Sequence, residues 1–297
     1  MVSVIIPTYN CGEYIERAIT SVINQTYKDY ELIIVDDCST DNTNEILTKF
    51  KDLDNFKILH NEKNVGVGIS RKVGINEAKG EYITFLDADD YLLETFLEIN
   101  VNLIKQHDSD VVYTSVGILS PSNQMAVVNV GNFIAENDMT LNIFFNCEMN
   151  FITGKLFRTS ILKTCRWSER RVAEDVQTLF YIMYEAKKVR SFPYVGYIHV
   201  CREGSLMSYD SKELSEDENI AYSFHNFCYN CLAEKEMLEF LMDKQDKVFL
   251  EPMYKAYFSK VKKTREFIKN KTLDEKIYLE NKELWDEVDN FYPKDEE

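Results

Sequence analysis

Three aspartates lie close together directly after an apolar segment of the chain. Asp87, Asp89 and Asp90 follow residues 82–86, whose apolar, β-prone side chains predict a strand inside a sheet. Carboxylates this close repel one another unless a positive group lies between them. Mg²⁺ and Mn²⁺ prefer oxygen ligands and can bridge to a phosphate, so the cluster predicts a metal–diphosphate site. The alternative is a solvated turn that caps a helix, because short acidic motifs are common.

The elements needed to position these aspartates alternate between strand and helix through the first half of the chain. The predicted strands cover residues 2–6, 30–35, 56–59, 82–86 and 110–115, and the predicted helices cover 14–23, 70–78 and 93–105. Repeated β-α-β units predict a doubly wound α/β fold with a mostly parallel sheet. Ligands bind such sheets at the carboxyl ends of the strands. The turn after Ile6, the pair Asp36 and Asp37, and the cluster at 87–90 should therefore share one rim.

The chain changes character after about residue 210. The less regular middle predicts a helix within 133–146, a short strand at 154–158, a helix that begins at Glu174 and Asp175, and a strand at 195–201. From about Lys212 the sequence is helical, strongly charged and nearly free of glycine. We therefore predict two parts, a ligand-binding domain at residues 1–210 and a helical extension at 211–297.

A basic stretch in the helical extension allows two interpretations. Seven lysines and arginines lie between positions 255 and 271, interleaved with Tyr254, Tyr257, Phe258 and Phe267. Such a segment could rest on an anionic membrane surface. The alternative, which the pattern favours, is the solvated face of a helix that packs on its other side. The extension could also form a homo-oligomer, and the sequence leaves these alternatives open.

Composition limits the classes of partner and the location. The net charge of −16 repels polyanions, which argues against nucleic-acid binding. The seven cysteines lack the spacing of a disulfide framework, which fits reduced thiols in the cytoplasm. No apolar run approaches the roughly 18 residues of a membrane span, and the first residues lack the pattern of a signal peptide. We therefore expect a cytoplasmic protein, at most peripheral to the inner face of the cell membrane.

Several motifs, taken in order over roughly residues 1–208, resemble those of family 2 glycosyltransferases with the GT-A fold. They are the segments 3–10, 33–41, 64–74 and 87–90, followed by the patterns at 155–158 and 174–175. The chain departs from the family pattern at Cys38, where glycine is usual, and at Lys72, where asparagine is frequent. Arg202 stands where many relatives have a histidine metal ligand, which leaves the metal with fewer protein ligands and the role of His199 open.

The resemblance implies a set of donor-binding residues. They are Pro7, Tyr9, Asp36, Asp37, Arg71, Asp87, Ala88, Asp89, Arg202 and Ser205. Tyr9 and Asp37, with Asp36 beside them, would hold the uracil and ribose of a UDP-sugar. Arg71 would support that pocket. Arg202 and Ser205 match a loop that often closes over the diphosphate.

The resemblance also implies the reacting groups. Asp89 would bind a Mn²⁺ or Mg²⁺ ion, while Asp87 and Asp90 would orient ribose, sugar or metal-bound water. Asp175 would be the catalytic base. A sugar hydroxyl is a poor nucleophile, so a carboxylate must accept its proton as attack develops. The growing charge on the departing diphosphate needs a cation. One base and one metal on opposite faces describe direct displacement with inversion.

The activity implied is transfer of a hexosyl or N-acetylhexosaminyl group from a UDP-sugar to a glycan or lipid-linked saccharide in cell-surface polysaccharide synthesis. The alternative is a nucleotide-sugar-binding subunit without turnover of its own. A nicotinamide-dependent oxidoreductase would need Gly-x-Gly-x-x-Gly after the first strand, where this chain has Asn10, Cys11 and Gly12. The sequence does not determine the sugar, the acceptor or the linkage.

Overall fold

The computed structural model describes residues 1–137, 140–141, 151–168, 170, 174–202, 216–269, 278–279 and 281–291. The chain divides into two compact units. The first consists of Met1–Arg171 and Thr178–Asp210, and the second of Val172–Gln177 and Ser211–Glu297. The second unit includes a short segment from the middle of the chain as well as the C-terminal part. The division into functional domains after residue 210 remains a prediction.

Ten described strands of the first unit form one sheet. They are β1 (Val2–Thr8), β2 (Tyr30–Asp36), β3 (Phe56–His60), β4 (Tyr82–Phe85), β5 (Tyr91–Leu92), β6 (Val111–Leu119), β7 (Met125–Val128), β8 (Phe133–Glu136), β9 (Lys155–Arg158) and β10 (Lys188–Val200). The main path runs β3-β2-β1-β4-β9-β6-β10-β5, with β7 beside β6 and β8 beside β10. The helices are α1 (Ile15–Ile23), α2 (Thr43–Thr48), α3 (Val67–Glu77), α4 (Phe96–His107), α5 (Thr159–Thr164) and α6 (Glu174–Glu185).

The four strands β3, β2, β1 and β4 pair in parallel, as the sequence predicts. Every residue of β1 is buried, because helices cover both faces of a parallel sheet. The register places Thr8 opposite Asp36 and Ile5 opposite Phe85. The carboxyl ends of these strands therefore meet at one edge, which we call the rim. The rim carries residues 9–12, 36–43 and 86–90.

The second half of the sheet is mixed. Strand β9 enters antiparallel between β4 and β6, whereas β10 runs parallel to β6 with two register shifts between Phe192 and Tyr197. Strand β5 pairs antiparallel with Tyr197 and Ile198 of β10. This pairing joins the chain just after the acidic cluster to the far end of β10 and so fixes the position of the cluster.

The segment 133–146, within which a helix is predicted, begins with a strand, and its described residues 140–141 are helical. Residues 133–136 form β8, which pairs antiparallel with Lys188–Ser191. Ala135 points to the interior while Ile134 is exposed, which is the two-residue alternation of a strand. Most of the remaining segment lies outside the described residues. Strand β7 was not predicted, and β10 begins at Lys188, seven residues before the predicted start of 195.

The second unit is helical in its described part. Its helices are α7 (Glu216–Asp243), α8 (Lys247–Lys269) and α9 (Lys282–Asn290). Leu238 of α7, Tyr257 of α8 and Trp285 of α9 are buried in its core. Within the described residues, no helix combines the length and the apolar character needed to cross a bilayer.

Candidate active site

Two loops of the rim are tied together by hydrogen bonds. The Asn10 backbone N–H donates to Ser39 Oγ at 2.9 Å, and the Thr40 backbone N–H donates to Asn10 Oδ1 at 2.8 Å. The Cys11 backbone N–H donates to Thr43 Oγ1 at 2.9 Å. Tyr9 precedes this junction and is 48% exposed, so its ring is available to a ligand.

Pro7 lies beneath the rim, whereas Ala88 is a residue of the rim with a buried side chain. Pro7 is buried inside β1, opposite Val35 of β2. Ala88 is also buried, in the middle of the acidic turn. Their predicted contacts with a nucleotide would therefore come from backbone atoms at the edge, and those contacts remain predictions.

The carboxylates of Asp36 and Asp37 are buried and accept hydrogen bonds from the protein. Asp37 Oδ1 accepts from the Val65 backbone N–H at 2.9 Å, and Asp37 Oδ2 accepts from the Gly66 backbone N–H at 2.8 Å. Gly66 has φ 93°, a conformation that favours glycine. Asp36 Oδ2 lies 3.3 Å from His60 Nδ1. The Asp37 carboxylate therefore fixes the loop at 64–66. The predicted contacts of Asp36 and Asp37 with uracil and ribose remain predictions.

Arg71 of α3 is buried and reaches the acidic cluster. Its Nη2 donates to Asp87 Oδ1 at 2.8 Å, and one third of the Asp87 side chain is exposed. Because Arg71 is a fixed positive charge, it offsets part of the repulsion among the carboxylates. The structure therefore brings together two residues that the sequence pattern assigns to the same pocket.

Asp90 is an anchor and not a rim ligand. Its side chain is 1% exposed, and Asp90 Oδ1 accepts from the Val200 backbone N–H at 2.8 Å. Asp90 Oδ2 accepts from the Tyr197 hydroxyl at 2.5 Å and lies 3.2 Å from His199 Nδ1. The Tyr197 hydroxyl in turn accepts from the Asp87 backbone N–H at 3.2 Å. The expectation that Asp90 orients a ligand is therefore replaced by a role in joining the acidic turn to β10.

Burial and charge shift the pKa values of Asp90, His199 and Tyr197, which together form an anchor between the acidic turn and β10. Burial raises the pKa of Asp90, although hydrogen bonds from His199 and Tyr197 oppose that rise. The hydrogen bond to Asp90 raises the pKa of His199 despite the opposing effect of burial. Burial also raises the pKa of Tyr197 well above its ordinary value, so the phenol stays protonated and can donate. Sequence reasoning missed Tyr197, because an apolar strand gives no signal for one functional hydroxyl.

Asp89 is paired with Arg202. Arg202 Nε donates to Asp89 Oδ2 at 2.6 Å, and the two side chains are 31% and 17% exposed. The guanidinium also lies 4.9 Å from the ring centroid of Tyr14. Arg17 Nη2 donates to the Asp89 backbone carbonyl. Burial lowers the pKa of the Arg202 guanidinium. The hydrogen bond and the charge of Asp89 raise that pKa by a larger amount, so its net shift is upward.

The acidic turn fits a hard divalent cation by the chemistry of its donors. Asp89 offers a partly exposed carboxylate, and a guanidinium already stands beside it as a cation. Carboxylate oxygen is a preferred ligand of Mg²⁺ and Mn²⁺, which also take waters and substrate phosphates. Among the described residues there is no group of three potential protein ligands, so water and diphosphate would have to complete the coordination.

The other predicted residues are placed as follows. Asp175 lies in the first turn of α6, and its Oδ1 accepts from the Val176 backbone N–H at 2.8 Å. This turn belongs to the second compact unit, and the role of Asp175 as base remains a prediction. Ser205 lies outside the described residues. Lys155 is fully buried, with Nζ 3.9 Å from the Tyr113 ring centroid and bonded to the Phe151 carbonyl.

Comparison with known proteins identifies the family. The family model described as Glycosyl transferase family 2 matches residues 3–166. Glycosyltransferase GlyG of Streptococcus pneumoniae is 31% identical over 219 residues, which cover 70% of this chain and 73% of GlyG. The poly(ribitol-phosphate) beta-N-acetylglucosaminyltransferase TarP of Staphylococcus aureus is 39% identical over 168 residues. That match covers 54% of this chain and 50% of TarP, so the chain spans only half the length of this relative.

Solved structures of S. aureus TarS have the same fold. TarS 1–349 in complex with UDP superposes with a TM-score of 0.60 and 25% identity, covering 81% of this chain and 70% of TarS 1–349. The complex with UDP-GlcNAc gives a TM-score of 0.63 and 23% identity, covering 98% of this chain and 91% of the other. The fold predicted from the motifs is thereby confirmed. The chain belongs to glycosyl transferase family 2, and it is a glycosyltransferase with the GT-A fold.

Proposed function

We propose that this chain transfers a sugar from a UDP-sugar to a hydroxyl of a glycan or lipid-linked saccharide, with inversion and with the help of a divalent cation. The observation that carries the proposal is the charge arrangement of the rim. There Asp87 and Asp89 meet Arg71 and Arg202 at the carboxyl ends of β1 and β4. Two solved structures of one relative, TarS 1–349, are complexes with UDP and with UDP-GlcNAc, which supports a UDP-linked donor.

Different side chains of the rim would contact different parts of the UDP-sugar donor. Tyr9 offers an exposed ring to the uracil, and the loops held by Asp36 and Asp37 give the ribose a fixed edge. A guanidinium matches two phosphate oxygens at once, so Arg202 is suited to the diphosphate. Asp89 would hold the Mn²⁺ or Mg²⁺. Such a cation, when bound, neutralises charge that grows on the departing diphosphate.

Asp175 is proposed as the base. The sequence pattern supports this role, and so does the position of Asp175 in the first turn of a helix. A carboxylate can accept the acceptor's hydroxyl proton while the oxygen attacks the anomeric carbon. Attack from the face opposite the diphosphate inverts that carbon. We propose that the chain acts in the synthesis of a cell-surface glycan and that it does so on the cytoplasmic side of the membrane.

Binding and turnover of the full chain test the proposal together. A ligand that binds only the folded chain raises its melting temperature, and at 100 times its Kd it stabilises the fold by about 2.7 kcal/mol. Because the proposed pocket binds uracil and the cation together, we expect UDP with Mn²⁺ to raise the melting temperature more than GDP with Mn²⁺ or UDP alone. Asp89→Ala should remove the part of the shift that depends on metal. Asp175→Asn should keep the shift but abolish slow hydrolysis of the UDP-sugar.

Four outcomes would contradict this function in whole or in part. An equal shift with GDP would exclude a uridine-specific pocket, and an equal shift without metal would exclude the cation. A wild-type chain that binds UDP but neither hydrolyses nor transfers its sugar would instead be a binding subunit. Wild-type turnover by Asp175→Asn would require another base.

A further inference from the structure

Arg202 already occupies the carboxylate that the proposed function assigns to the cation. Its Nε lies 2.6 Å from Asp89 Oδ2, and the guanidinium stacks near Tyr14, which holds it in place. The pair is mostly shielded from water, so it is screened less than a surface ion pair. A divalent cation that approached Asp89 in this state would meet a carboxylate whose charge is largely neutralised.

The same guanidinium has a second partner in the proposed reaction. Arginine carries five N–H donors in a rigid fork, and a diphosphate offers more acceptor oxygens than one carboxylate. A diphosphate placed at the rim would therefore attract Arg202 away from Asp89. The carboxylate released in this way would regain its full negative charge.

We propose that Arg202 competes with the divalent cation for Asp89, and that the nucleotide diphosphate frees Asp89 for the cation by taking over the guanidinium. This inference rests on the proposed function, because it assumes that the rim binds a nucleoside diphosphate. Diphosphate and cation then bind cooperatively, and by linkage each raises the affinity for the other by the same factor. The cation is weakly held until the donor has arrived.

Electron paramagnetic resonance of free Mn²⁺ tests this proposal without any enzyme assay. We titrate the full chain with Mn²⁺ alone and with Mn²⁺ in the presence of saturating UDP, and we subtract the Mn²⁺ that UDP chelates without protein. Arg202→Ala should bind Mn²⁺ alone about tenfold more tightly than the wild type, since one positive charge at contact distance is removed. UDP should tighten Mn²⁺ binding in the wild type several-fold more than in Arg202→Ala.

Arg17→Ala is the matched control. Arg17 also places a guanidinium at this turn, but it contacts the Asp89 backbone carbonyl and leaves the carboxylate alone. We therefore expect Arg17→Ala to bind Mn²⁺ alone like the wild type. Asp89→Ala should lose the tight Mn²⁺ site of Arg202→Ala when combined with it, which assigns that site to the carboxylate.

Each contrary result overturns the inference in a recognisable way. Unchanged or weaker Mn²⁺ binding by Arg202→Ala, or equal tightening by Arg17→Ala, would exclude direct competition. If the wild type binds Mn²⁺ with UDP as proposed, only the inference fails in these cases. If neither the wild type nor Arg202→Ala binds Mn²⁺ even with UDP, the metal part of the proposed function fails with it.

Discussion

Asp89 and Asp90 are neighbours in sequence, but the fold gives their carboxylates different surroundings. Asp89 is partly exposed and paired with a guanidinium, whereas Asp90 is buried against Tyr197 and His199. Environment often divides the work of two adjacent carboxylates in this way. At this turn the exposed carboxylate is available to a cation and the buried one holds the backbone that presents it.

His199 gives the anchor a dependence on pH. Its pKa is raised by the hydrogen bond to Asp90 and by the charges of Asp87 and Asp89, so the charged form stabilises the fold. That contribution is full below the ordinary histidine pKa and is lost as pH rises through the higher folded value. His199→Gln keeps a donor but no charge. We expect it to cost about 1 kcal/mol in urea unfolding at pH 6 and much less at pH 8.5.

His60→Gln is the control for this prediction. His60 Nδ1 also lies beside a buried carboxylate, that of Asp36 at 3.3 Å, but 57% of its side chain is exposed. Solvent screens such a pair, so its loss should change stability little at either pH. A cost of His199→Gln that stays constant between pH 6 and 8.5 would show that its charge has no part in the anchor.

At the scale of elements, the first turn of α6 belongs with the C-terminal helices. Gln177 in this turn is fully buried, and its Nε2 donates to Glu236 Oε2 of α7 at 2.5 Å. Asp175, the proposed base, lies two residues earlier in the same turn. We infer that α7 fixes the orientation of this turn, and therefore that a residue of the helical unit acts as a positioning residue for the base.

Glu236→Leu tests the contribution of α7. Losing the acceptor leaves a buried amide unsatisfied at a cost of about 1–3 kcal/mol, so the turn should shift. We expect kcat for UDP-sugar turnover to fall roughly tenfold while the UDP-dependent rise in melting temperature stays unchanged, since one factor of ten corresponds to about 1.4 kcal/mol. Glu236→Gln, whose Oε1 can accept the same hydrogen bond, should restore kcat.

Glu287→Gln serves as the control for general loosening of the helices. This substitution removes the ion pair between Lys235 Nζ and Glu287 Oε1, which lie 3.2 Å apart. Lys235 is the residue before Glu236 on α7. A loss of kcat as large as that of Glu236→Leu would mean that helix packing as a whole, and not the contact with Gln177, supports turnover. An unchanged kcat in Glu236→Leu would show that α7 does not position the first turn of α6 for turnover.

The same elements show what a sequence can predict. The parallel strands and their shared rim follow from near-continuous apolar runs, such as β1, separated by amphipathic helices. The short strands β7 and β8 lack that signal, because their side chains are largely exposed and only pairing defines them. The contact between Asp90 and Tyr197 joins residues 107 positions apart. No local pattern encodes it, since it depends on the register of β5 with β10.

At the scale of the whole molecule, the net charge of −16 conflicts with one interpretation of the basic stretch. Lys260 pairs with Glu234, and Lys255 pairs with Glu251 at 2.6 Å. Arg265 likewise pairs with Asp289. Acidic partners within the helical unit therefore satisfy part of the charge that would attract an anionic surface. This arrangement favours the solvated helical face over contact with a membrane.

We therefore expect the full chain to stay in solution when it is mixed with vesicles containing 30% phosphatidylserine at near-physiological salt. Each lysine or arginine near such a surface contributes only about 1 kcal/mol, and the negative field of the whole molecule opposes that attraction. Lys262 and Lys263 are the exposed neighbours in the stretch. Co-sedimentation with these vesicles, absent from neutral vesicles and abolished by Lys262→Glu with Lys263→Glu, would restore the membrane interpretation. Because α8 would then approach lipid through this face, the proposed lipid-linked acceptor would become the stronger of the two acceptor classes.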